Sequence, residues 1–122
     1  MHPVEKVEVL RACCCIAGAD GTTTDAERKI LEKLADEVGV GGASLEAMIW
    51  RAENEPDFYE EQFRVLKAEP RKVMLLLMQT AAADRSLSND ETEMMRKFSQ
   101  RLEVPSETFD KLVERVNDKI EE

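Results

Sequence analysis

Two short phrases place acids where chemistry is conceivable: Ala-Asp-Gly-Thr-Thr-Thr-Asp-Ala-Glu at 19–27 and Ala-Asp-Arg-Ser-Leu-Ser-Asn-Asp-Glu at 83–91. In each, an Asp (Asp20, Asp84) stands where a helix ends, and the negative end of the helix dipole disfavours a carboxylate there. Three residues before each Glu (Glu27, Glu91) stands a hydroxyl, Thr24 or Ser88, the spacing of a capping box. Two chemistries are open. The acids can be purely local, with Asp20 and Asp84 accepting N–H groups of the following turn and Glu27 and Glu91 completing their caps. Alternatively Asp20, Glu27, Asp84 and Glu91 gather around a hard divalent cation, Ca²⁺ or Mg²⁺, with Asp25 and Asp90 as outer partners. An EF-hand loop is excluded by counting: starting at Asp20, Asp25 falls where the turn requires Gly and Leu31 where a bidentate Glu belongs. Starting at Asp84 puts Met95 at that last position. A metal site must therefore be assembled between turns.

Other chemistries lack their parts. The single histidine, His2, leaves no base for Ser-His-Asp or Cys-His catalysis and no His-rich zinc set. Gly39-Val40-Gly41-Gly42 reads as a helix stop, not a phosphate loop after a strand. A glycosidase-like carboxylate pair needs an aromatic-lined cleft, and the chain has one Trp and one Tyr. Cys13, Cys14 and Cys15 are consecutive, so on a helix they fan out by about 100° each and cannot close jointly on one metal. They read as small apolar residues of a buried helix, with a soft-metal or tellurium-oxyanion thiol site as the minor alternative. The expectation is a non-enzymatic protein.

The elements that must position these residues are helices. Five Gly, four Pro and six aromatics among 122 residues, with abundant Glu, Lys, Leu, Ala and Met, predict an all-α chain, folded as one domain over 1–122. Seven segments are expected. The first runs from Pro3 to Ala19, the second opens at Thr24, a short third is capped by Ser44, and the fourth covers Phe58–Lys67. The fifth begins at Pro70 with the run Val73–Met78, apolar all round and therefore expected to be buried on every side. The sixth opens at Ser88, and Val104-Pro105-Ser106 starts the seventh. Met74, Met78, Met94 and Met95 point inward as core filling.

A shift of 64 residues superimposes Val9 on Val73, Asp20 on Asp84, Thr24 on Ser88, Glu27 on Glu91, Leu31 on Met95, Leu34 on Phe98 and Val40 on Val104. The chain thus reads as two pseudo-symmetric helical triplets joined by a linker helix, with the first and fifth helices central. The doubled Ala-Asp-(Gly)-x-x-(Ser/Thr)-x-x-Glu phrase, each copy closing one helix and capping the next, resembles the TerB family. These are tellurite-resistance-associated proteins, whose fold also occurs in a membrane-anchored J-domain co-chaperone. The resemblance covers essentially the whole chain. It implies a seven-helix domain of a stress-response complex, with divalent metal at Asp20, Glu27, Asp84 and Glu91. The pattern departs at Arg85, which replaces Gly21 and sets a guanidinium beside Asp84.

Seventeen Lys plus Arg against 26 Asp plus Glu give a net charge of −9, which repels nucleic acid and anionic lipid. The opening MHPVEKVEVL is too charged for a signal peptide, and no stretch approaches the roughly 20 apolar residues of a membrane span, so a cytoplasmic location is expected. Protein partners are expected instead. Trp50, Phe58, Tyr59 and Phe63 gather in the part without a repeat counterpart, either capping the core or anchoring a partner. A metal-free adaptor module is the alternative to the cation reading.

Overall fold

The computed structural model describes residues 3–62, 70–83 and 88–121. Among them are six α-helices and no strand: α1 Pro3–Ala17, α2 Asp25–Val38, α3 Gly42–Asn54, α4 Pro70–Ala81, α5 Asn89–Arg101 and α6 Ser106–Glu121. A 3-10 helix, Phe58–Gln62, lies between α3 and α4. The all-helical expectation holds, but the seventh α-helix is not among the described residues. Where the fourth helix was expected to start, the chain instead turns tightly, with Phe58 and Glu60 donating their N–H groups to the carbonyls of Glu55 and Asp57 at 3.1 Å. Drawing Phe58 into the core favours this tighter winding over an α-helix. Residues 63–69, the rest of that expected helix, lie outside the described residues.

The twofold repeat is written in the backbone hydrogen bonds. Thr24 and Ser88, both extended, close complete capping boxes on Glu27 and Glu91. At the other ends, Val40 N–H reaches Ala35 O at 2.9 Å and Val104 N–H reaches Ser99 O at 2.9 Å, the same long closing bond 64 residues apart. That closure requires a left-handed residue, supplied by Gly39 (φ 78°) in the first copy and by Glu103 (φ 62°) in the second. Two boundaries differ from expectation. α1 ends at Ala17, two residues early, and α3 begins at Gly42 on a Gly41 cap, so Ser44 falls inside its first turn and is not its cap.

α1 and α4 pack on each other at the centre, with α2 and α5 each touching both. Val9, Leu10, Cys13, Ile16, Val73, Met74 and Leu77 supply the buried seam, and Leu31, Met95, Phe98 and Phe109 close over it. The symmetry breaks at the third helix of each triplet. α3 packs on α1, and there a Cβ added to Gly18 would stand 3.3 Å from the Ala52 carbonyl carbon and the Glu53 nitrogen. The counterpart of Gly18 is Ala82, and α6 packs chiefly on α5. An open apolar groove of about 480 Å³ remains between α4 and α6. This corrects the expectation that the fifth expected helix, now α4, is buried all round: Leu75 is 55% exposed.

Candidate site at the meeting of the two capping glutamates

Each repeat delivers one glutamate into the interior by the same local chemistry. Glu27 donates its N–H to Thr24 Oγ1 at 3.2 Å, and its Oε1 accepts the Thr24 N–H at 3.0 Å. Glu91 donates its N–H to Ser88 Oγ at 3.1 Å, and its Oε1 accepts the Ser88 N–H at 3.2 Å. The caps bend both side chains back over the first turns of α2 and α5, toward the α1–α4 pair. Both are buried, at 1% and 3% exposure. The carboxyl of Glu91 lies beside the carboxyl of Glu27 in the interior and feels its charge, so the two halves of the repeat meet acid to acid.

Burial drives the Glu91 carboxyl well above its ordinary range, to about 8. The adjacent Glu27 carboxyl and its negative charge push the same way, while the Ser88 hydrogen bonds pull it down. Both acids also sit in the first turn of a helix, where the dipole favours negative charge and offsets part of the burial cost. The shift favours the protonated form of the Glu91 carboxyl at neutral pH.

The other expected site residues fare differently. Asp20 is exposed, and its Oδ1 accepts the N–H and the hydroxyl of Thr22 at 3.1 and 3.2 Å, the local turn role. Asp84 lies outside the described residues, as does Arg85. Asp25 and Asp90 are exposed. No group of three or more His, Cys, Asp or Glu side chains arranged to hold a metal occurs among the described residues. Two carboxylates are the number that commonly holds Mg²⁺, with water completing its shell. They fall short of the six to eight oxygens of a Ca²⁺ cage.

The thiols are not a second site. Cys13, Cys14 and Cys15 are buried and form no disulfide, as expected of core residues. Burial pushes Cys13 up to about 11, against a hydrogen bond from Thr80, and burial raises Cys14 as well, with help from its two neighbouring thiols. Thiols held protonated are poor nucleophiles and poor metal ligands. The expected aromatic cluster divides. Phe58 is buried under the Arg51 guanidinium at 4.3 Å, Tyr59 meets Phe98 edge-on at 6.4 Å, and Trp50 stands 59% exposed. Phe63 lies outside the described residues. Met74, Met78 and Met95 are buried and Met94 half-buried.

What the sequence did not reveal is that the two capping glutamates converge in the interior while Asp20 stays in solvent. The available signal was their position: N3 of a helix whose apolar stripe faces a shared centre points its side chain back toward that centre. No protein-family model, no curated protein and no solved structure matches the chain. Among the described residues no helix is long and apolar enough to cross a membrane.

Proposed function

We propose that this chain is a non-enzymatic, TerB-like stress-response domain in which Glu27 and Glu91 take up a divalent cation between the two repeats. The observation that supports it is the meeting of two buried glutamates from symmetry-related helix starts. A fixed +2 charge there compensates both carboxylates in their ionised form, and water supplies the remaining ligands, which favours Mg²⁺ over Ca²⁺. Asp20, exposed and bonded to Thr22, contributes at most an outer negative field in this reading.

The test is thermal unfolding of metal-stripped protein with Mg²⁺, Ca²⁺, Mn²⁺ and Zn²⁺, alongside Glu27→Gln/Glu91→Gln and Asp20→Asn. A ligand at 100 times its Kd adds about 2.7 kcal/mol, or roughly ten degrees for 122 residues. The expected result is a shift in the parent and in Asp20→Asn that disappears in the double glutamine variant. No shift with any cation at millimolar concentration refutes the reading. The metal-free adaptor would then take its place, supported by the capping boxes that both glutamates already complete and by the open α4–α6 groove.

A further inference from the structure

The internal repeat supplies a template for the open groove. In the first half, the junction of α1 and α3 is covered by the 3-10 helix, which packs on both. Phe58 and Tyr59 lie there beside Gly18, Ala52 and Asn54. Arg51 covers the Phe58 ring at 4.3 Å while its Nε holds Glu55 Oε2 at 2.6 Å. The cover is thus an aromatic pair on an apolar floor, gripped by an arginine that also binds a carboxylate.

Sixty-four residues on, the same positions line the α4–α6 groove: Ala82 for Gly18, Val116 for Ala52, Asp118 for Asn54 and Arg115 for Arg51. Leu75 and Met78 extend its apolar floor. Two features leave the groove prepared and uncovered. Leu75 is 55% exposed, and Arg115 has no ion-pair partner among the described residues. In sequence, the residue one turn after Arg115 is Lys119 where Glu55 follows Arg51, so the acid that engages Arg51 has no counterpart on α6.

We propose that the α4–α6 groove is a docking site for a short aromatic–acidic segment of a partner protein, bound as Phe58-Tyr59 is bound in the first half. The partner's ring fills the space over Ala82 and Val116, and Arg115 stacks on that ring and pairs with a carboxylate close to it in the partner chain. Arg115 is the cation among the residues that line the groove, and its guanidinium offers a carboxylate of the segment the pairing that Glu55 gives Arg51. The site lies on different residues from the glutamate pair and does not depend on the cation reading.

The probe is the chain's own covering segment, residues 54–62, as an acetylated and amidated nonapeptide Asn-Glu-Pro-Asp-Phe-Tyr-Glu-Glu-Gln. It is titrated into isotope-labelled full chain in EDTA and followed by amide chemical shifts. The expected result is saturable shifts on α4 and α6 around Ala82, Leu112 and Val116. Affinity should fall about tenfold or more when the peptide carries Phe58→Ala or the protein carries Arg115→Glu. Leu75→Gln, at an exposed position, provides a second protein variant that weakens binding while helical circular dichroism stays unchanged. Three results overturn the proposal: no saturable shift, shifts confined to α1 and α3 because the peptide displaces its own copy, or groove shifts that depend on protein concentration without peptide, which would make a second copy the occupant.

Discussion

Replacing Glu91 with Gln should abolish a pH dependence of stability that the parent protein shows. The folded carboxyl is raised from 4.5 to about 8, so its contribution is fully present below pH 4.5 and is lost as pH rises through 8. At 1.36 kcal/mol per pH unit the shift sets a ceiling of about 5 kcal/mol. Relaxation and water entry around a doubly ionised pair absorb part of this, leaving about 2–3 kcal/mol between about pH 5.5 and 8.5. For 122 residues that is a fall in Tm of about 8–12 °C. The window is otherwise quiet: the chain has one histidine, and Cys13 is held near 11. Gln keeps the capping box. Urea unfolding followed by circular dichroism in EDTA, at half-unit pH steps, should show the parent and Glu91→Gln nearly equal at pH 5.5 and the variant more stable by about 2 kcal/mol at pH 8.5. Parallel curves for the two proteins would refute the raised pKa of Glu91.

Two substitutions test the broken symmetry of the repeat. Glu103→Gly should stabilise by about 0.5–1 kcal/mol, because the left-handed conformation at φ 62° strains any residue with a Cβ and glycine adopts it freely; chemical denaturation reads this directly, and a loss of stability would contradict it. Gly18→Ala should cost about 1 kcal/mol or more, since its Cβ would press on the α3 backbone at 3.3 Å, and an unchanged denaturation midpoint would mean that α3 does not lie so close.

Much of the architecture was legible in the chain. Helical periodicity, the Thr24 and Ser88 capping boxes and the 64-residue register are local or pairwise properties of sequence, and the structure reproduces them down to individual backbone hydrogen bonds. The burial of three adjacent cysteines followed from a helix apolar on nearly every face. The departures have particular causes. Phe58 winds a 3-10 turn because its ring is claimed by the core and by Arg51, a tertiary demand no local propensity encodes. Leu75 is exposed despite its apolar neighbours because α6 packs chiefly on α5 and leaves the face of α4 that carries it open.

The candidate site divides along the same line. Sequence alone determined that Glu27 and Glu91 are equivalent and that each closes a cap, because a capping box is satisfied within four residues. It could not say which acids of the two phrases meet, since that depends on how α2 and α5 are set against the α1–α4 pair. Packing decided that Asp20 stays in solvent with Thr22 while two glutamates 64 residues apart come together in the interior, where burial makes a second negative charge costly.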